Sequence, residues 1–139
     1  MQIEQRVEEQ IAYFNRKSGV CKKWYYIFTC ITAVGSIFVT ALIQLEEFGK
    51  IGATVVSLIV ASAAAINNIM NYASKWRLYR TTAEKLEREQ SFFDNEVDCY
   101  KGKPLSLYAK NVEAILSDTN TTWADTVFKK DKEQSNTEE

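Results

Sequence analysis

Between Trp24 and Leu45 the chain runs for 22 residues without an Asp, Glu, Lys or Arg, and between Ile51 and Ser74 it does so again for 24. A hydrocarbon layer about 30 Å thick takes roughly 20 helical residues to cross, so each run is long enough. The overall composition, 46% hydrophobic and 25% charged, resembles that of a soluble domain only because charge is crowded into the remainder. That remainder could build only a small helical layer, too little to cover two apolar helices. The expected fold is therefore an all-α membrane protein, a two-helix transmembrane hairpin with cytoplasmic amphipathic helices.

The first run, residues 24–45, opens on Trp24, Tyr25 and Tyr26, rings suited to the headgroup layer, and continues with bulky Ile, Phe, Val and Leu. A charged segment of more than 20 residues, Glu4, Glu8 and Glu9 among it, precedes it, which argues against a cleaved signal peptide. The second run, residues 51–71, is poorer in large apolar residues and carries Asn67, Asn68 and Asn71, so it suits packing against protein. Arg16, Lys17, Lys22 and Lys23 precede the first run, and Lys75, Arg77, Arg80, Lys85 and Arg88 follow the second. The connecting loop, residues 46–50, offers only Lys50. The positive-inside rule then places both termini in the cytoplasm of a multi-pass inner-membrane protein, with an extracytoplasmic loop in which Gly49 supplies an unusual backbone angle.

Residues 1–18 put Ile3, Val7, Ile11 and Phe14 at helical spacing and predict an amphipathic helix, with Gly19 loosening its join to the first span. Beyond the second span Trp76, Tyr79, Ala83, Leu86, Gln90, Phe93, Val97 and Tyr100 alternate spacings of three and four, which predicts a heptad helix over 72–100. Gly102 and Pro104 end it, and a last helix over 105–128 carries Tyr108, Val112, Ile115 and Leu116. The seam residues Trp76, Tyr79, Ala83, Leu86, Phe93, Val97 and Tyr100 could bury against this last helix or against another subunit; periodicity does not separate the two. The polar tail 129–139 is expected to be disordered.

Inside the spans, Ala53, Ser57, Ala61 and Ala65 form a small-residue row that would let a second helix approach. Thr29, Thr32, Ser36, Thr40 and Gln44 make a polar stripe on the first span. Such hydroxyls either bond their own or a neighbouring helix, or line a water-filled path, for which the Asn67, Asn68 and Asn71 cluster of the second run is the other candidate lining. Two helices cannot enclose a conduit, so a pore requires a homo-oligomer, with Glu46 and Glu47 as an acidic ring at its outer mouth or as ordinary solvated loop residues.

No chemistry-bearing pattern emerges. Histidine is absent, and Cys21, Cys30 and Cys99 show no paired spacing, so neither a catalytic site nor a metal or cofactor site is expected. A net charge of -1 argues against nucleic acid as a partner, whereas the basic flanks suit membrane lipids.

The segment from Tyr72 to Glu89, Tyr72-Ala73-Ser74-Lys75-Trp76-Arg77-Leu78-Tyr79-Arg80-Thr81-Thr82-Ala83-Glu84-Lys85-Leu86-Glu87-Arg88-Glu89, resembles the stretch after the second membrane helix in the SLATT family. Tyr100-Lys101-Gly102 and the Val112-Glu113-Ala114-Ile115 to Trp123 pattern are similar to it as well, and the resemblance extends over roughly residues 11–128. SLATT proteins are bacterial two-transmembrane proteins of nucleotide-signalling and conflict systems. The resemblance implies a membrane effector that oligomerises into a pore or disrupts the bilayer when a separately encoded nucleotide-signalling or sensor protein triggers it. The alternative is a non-conducting scaffold whose cytoplasmic helices recruit a soluble partner.

Overall fold

The computed structural model describes residues 2–45, 47–102 and 104–135, and every regular element among them is helical: α1 (Gln2–Ile43), α2 (Glu47–Met70), α3 (Tyr72–Asp94), a single 3-10 turn (Asp98–Tyr100) and α4 (Leu105–Ser135). Two helices are long and apolar enough to cross a membrane, one within Ile3–Ile43 and one within Gly49–Asp94.

Several boundaries differ from the sequence expectation. Helix α1 runs unbroken through Gly19, joining the two elements expected at 1–18 and 24–45. A helical glycine costs about 1 kcal/mol relative to alanine, which is too little to break such long helical flanks. The helix stops at Ile43, and the amides of Gln44 and Leu45 turn back to the carbonyls of Ala41 and Leu42 at 3.3 and 3.0 Å. Because α2 begins at Glu47, Gly49 is helical rather than a loop residue; a Cβ there would overlap the Leu42 carbonyl oxygen, so glycine serves close approach instead of a turn. Glu46 lies outside the described residues, and the Glu47 side chain does too.

Helix α2 ends where Asn71 takes φ 47°, a left-handed conformation that asparagine tolerates better than most residues. Helix α3 ends at Asp94, six residues before the expected Tyr100. Glu96 adopts φ 51°, its amide bonds Phe93 O at 3.2 Å, and the Val97 amide bonds Phe92 O at 3.0 Å, which together form a Schellman stop with glutamate in glycine's place. Helix α4 continues to Ser135, so the expected disorder is not seen over 129–135, where five of seven residues are Lys, Glu or Gln, good helix formers; 136–139 lie outside the described residues.

The chain divides into two units. The first comprises Met1–Gly19 and Ser74–Glu139. Its core is Val7 and Phe14 from α1, Ala83, Leu86 and Phe93 from α3, Tyr100, and Tyr108 and Val112 from α4, with Ile3, Ile11, Tyr79, Ile115 and Leu116 packed around it. The heptad seam is thus spent on this chain's own helices at Ala83, Leu86, Phe93 and Tyr100, whereas Val97 stays 43% exposed. Phe93 stacks on Tyr108 with centroids 4.3 Å apart, and Tyr100 meets both rings edge-on. A buried pair of hydroxyls, Thr82 and Thr119, joins α3 to α4 at 2.9 Å.

The second unit is Val20–Ala73. Leu42 lies beside Gly49 and Gly52, Val60 beside Gly35, and the Phe28 ring stacks on Tyr72, so the C-terminal half of α1 and α2 run antiparallel. A Cβ at Gly35 would overlap Val60 Cγ2, which makes this a point of very close helix approach. Outward, Ile37 is 71% exposed and Ile51 69%, with Phe38, Leu58, Ile59 and Ile69 also uncovered. Leaving such side chains in water forgoes roughly 1.5–3 kcal/mol each, and a contiguous apolar surface of this kind calls for lipid or protein against it.

Candidate functional site

The antiparallel pair of the second unit carries two unlike grooves. One, about 370 Å3, is apolar, walled by Phe28, Ile31, Leu58, Ile59 and Ile66. The other, about 490 Å3, is lined by Tyr25, Thr29, Thr32 and Ser36 from α1 and by Asn67, Asn68 and Asn71 at the end of α2. The polar stripe of the first run and the asparagine cluster of the second, expected from sequence as separate candidates, therefore share one groove.

Their local chemistry differs. Thr29, Thr32 and Ser36 each donate to the carbonyl four residues earlier, those of Tyr25, Phe28 and Thr32, at 2.8, 2.8 and 2.7 Å. A hydroxyl bonded in this way satisfies its proton within its own helix while keeping lone pairs to offer. Asn67 contrasts with them. Its side-chain oxygen is buried and, among the described residues, without a hydrogen-bond partner, an arrangement that costs about 1–3 kcal/mol for an uncompensated group. Asn67 and Asn68 lie in the last turn of α2, and Asn71 ends it: its amide makes the final i→i−4 bond, to Asn67 O at 3.1 Å, before its left-handed backbone leads into α3.

Two members of the stripe lie outside the groove. Thr40 donates to Ser36 O at 3.1 Å and is exposed, and Gln44 falls past the end of α1. Tyr25, four residues before Thr29, continues the same helical spacing and was legible as a groove residue from that alone. The small-residue row is also redrawn: Ala53 is buried, but Ser57, Ala61 and Ala65 are exposed. Steps of four residues advance about 40° around a helix, so the row drifts about 120° from Ala53 to Ala65. Among the described residues of α2, Gly49, Ala53 and Ala63 are buried, with Val56, Val60 and Asn67 half-buried between and beyond them.

In the first unit, Tyr100, Glu89 and Asn111 form a polar cluster in which the Asn111 amide reaches Glu89 at 2.8 Å and Tyr100 Oη at 2.7 Å, and the Tyr100 hydroxyl donates to Glu89. Burial, then the Glu89 hydrogen bond, pushes Tyr100 up to about 12. Tyr108, fully buried with its hydroxyl unpaired among the described residues, is also pushed up to about 12, by burial and then by the negative charges of Asp94, Glu4, Glu89 and Glu8. Of the expected assembly residues, Trp76 and Tyr79 are half-buried. Among the described residues no cluster of His, Cys, Asp and Glu could hold a metal ion.

No curated protein matches the chain, and no solved structure does. The family model that matches is DUF4231, a protein of unknown function, over residues 9–104, from the first turns of α1 to the segment before α4; the chain belongs to that family.

Proposed function

We propose that this protein is a membrane effector of pore or ion-channel type, a transmembrane hairpin with both termini in the cytoplasm of the inner membrane that acts as a homo-oligomer. The observation carrying this reading is the polar groove. Thr29, Thr32, Ser36, Asn67, Asn68 and Asn71 meet on one side of an antiparallel pair whose large exposed side chains elsewhere are mostly Ile, Leu, Val and Phe. In a bilayer the apolar surface is at home, whereas unpaired amides are not, so the groove must meet protein or water. Copies arranged around an axis with their grooves inward would satisfy both surfaces and enclose a path lined by neutral dipoles, with Glu46 and Glu47 at its outer mouth. The resemblance to SLATT proteins supports a role in bacterial antiphage or conflict defence, triggered by a separately encoded nucleotide-signalling or sensor protein.

Full-length protein in liposomes should release an entrapped dye once triggered. Ser36→Leu should lower the release several-fold with assembly intact, and Thr40→Leu, outside the groove, should not. A bilayer that stays tight under every triggering condition rejects conduction. The hydroxyls bonded within their own helix favour a second reading, a non-conducting scaffold whose groove is filled by helix packing. Co-purification of a soluble partner, together with no conductance, would select it.

A further inference from the structure

We propose that the first unit binds the phosphodiester headgroup of an anionic phospholipid in a groove between α3 and α4 beside Arg77, an inference that rests on reading α2 as membrane-spanning. The groove, about 350 Å3, is walled by Ser74, Arg77 and Thr81 of α3 and Thr122 of α4, together with Lys85 and Asp118. Lys85 and Asp118 neutralise one another at 2.9 Å. Arg77 is exposed and, among the described residues, makes no ion pair or hydrogen bond, in contrast to Arg80, which is held by Glu84 at 2.7 Å. The hydroxyls of Ser74, Thr81 and Thr122 are also uncommitted among the described residues, unlike that of Thr126, which donates to Thr122 O at 2.7 Å.

One uncompensated guanidinium beside three free hydroxyl donors is the chemistry of a phosphate site. The guanidinium fork meets two phosphate oxygens at once, and hydroxyls reach the remaining acceptors. Position selects the source of the phosphate. Helix α3 starts at Tyr72, two residues after α2 ends at Met70, and Arg77 stands five residues into it, about 8 Å at the helical rise. The headgroup layer is roughly 5–8 Å deep on each side of the hydrocarbon core, within the reach of a flexible arginine from that point. The spare positive charge of the groove favours a headgroup of net negative charge over a zwitterionic one.

The full chain in uncharged detergent, titrated in turn with phosphatidylglycerol, phosphatidylcholine and inorganic phosphate, should show by native mass spectrometry a saturable adduct with phosphatidylglycerol. Binding of the other two probes should be at least tenfold weaker. Arg77→Gln should weaken phosphatidylglycerol binding at least tenfold, Arg77→Lys should recover part of that loss, and Thr122→Val should cost a few fold, each with unchanged circular dichroism. Unaltered binding by Arg77→Gln, or equal binding of phosphatidylcholine, overturns the proposal, and equal binding of inorganic phosphate overturns the lipid assignment in favour of free anions. If Arg77→Gln fails to fold, Thr122→Val decides by the same criterion. The measurement uses no bilayer, so membrane insertion is judged separately, by whether the chain resists carbonate extraction from membranes.

Discussion

Alanine at Gly35 is the sharpest probe of how the two apolar helices meet. The added Cβ would overlap Val60 Cγ2 and lie 3.7 Å from Val60 Cβ. Valine cannot swing aside freely, because a β-branched side chain in a helix holds one χ1 rotamer about nine times in ten, and turning it some 30° costs about 0.5–1.5 kcal/mol. Overpacking of this kind costs about 1–3 kcal/mol in total. Against that stands the intrinsic preference of a helix for alanine over glycine, about 0.8–1.0 kcal/mol. The single variant should therefore lose only about 0–2 kcal/mol, too small a difference to decide the matter unaided, and the double-mutant cycle carries the test. Val60→Ala removes two methyl groups from a half-buried side chain, at most about 1.5 kcal/mol at 0.8 kcal/mol per buried carbon. In Gly35→Ala/Val60→Ala the new methyl enters the space vacated by valine, so the double variant should be about 1–2 kcal/mol more stable than the sum of the single losses predicts. Reversible unfolding in mixed micelles, followed by near-ultraviolet circular dichroism, measures all four corners. Strict additivity would show that Gly35 and Val60 are not in contact and would refute this packing of α1 on α2.

In the first unit, Phe93→Ala should cost about 3–5 kcal/mol because that ring is 1% exposed and stacked on Tyr108, whereas Val97→Ala, in the same heptad seam, should stay within about 0.5 kcal/mol; equal losses would contradict the intramolecular seam. Tyr108→Phe should be neutral or stabilising at pH 7, since it removes a buried unpaired hydroxyl, and Tyr100→Phe should destabilise by about 1–2 kcal/mol through the loss of Glu89 and Asn111; denaturant midpoints in the reverse order would contradict both assignments. Both tyrosines are raised from 10.0 to about 12, so the unfolded chain releases these protons first, stability is intact below pH 10, and it falls between pH 10 and about 12. Tyr108→Phe should make that fall shallower, and an unchanged slope would reject its part in it.

The residues that declared themselves in sequence were those whose role follows from their own helix. The uncharged runs, the seam from Ala83 to Phe93 and the restart at Leu105 all depend on local periodicity, and the structure places helices at each. What escaped the sequence depends on partners. The stops at Asn71 and Glu96 are made by left-handed residues other than glycine, while Gly19 and Gly49, the obvious breakers, lie inside helices. Gly35 looked unremarkable because its importance comes from Val60, 25 residues away. The polar groove was half legible: each row could be read from its own spacing, but their meeting is set by the register of α1 on α2, which the contacts at Gly35, Gly49 and Gly52 establish.

That register also ranks the groove residues. Thr29, Thr32 and Ser36 have discharged their protons into their own helix and could face lipid at modest cost, so they do not by themselves compel a second subunit. A carboxamide has two donors and an acceptor oxygen and cannot be satisfied in that way; Asn67 already keeps its oxygen buried and unpaired, with Asn68 and Asn71 beside it in the groove. In the proposed bilayer setting it is the asparagine end of the groove, not the longer hydroxyl stripe, that makes an isolated hairpin costly. Self-association should therefore weaken when Asn67 and Asn68 are both replaced by leucine and persist when Thr29 and Thr32 are replaced by valine, as read by sedimentation equilibrium in density-matched detergent. Equal weakening by the two pairs would contradict this ranking, because it separates the residues that hold an assembly together from those that would merely line it.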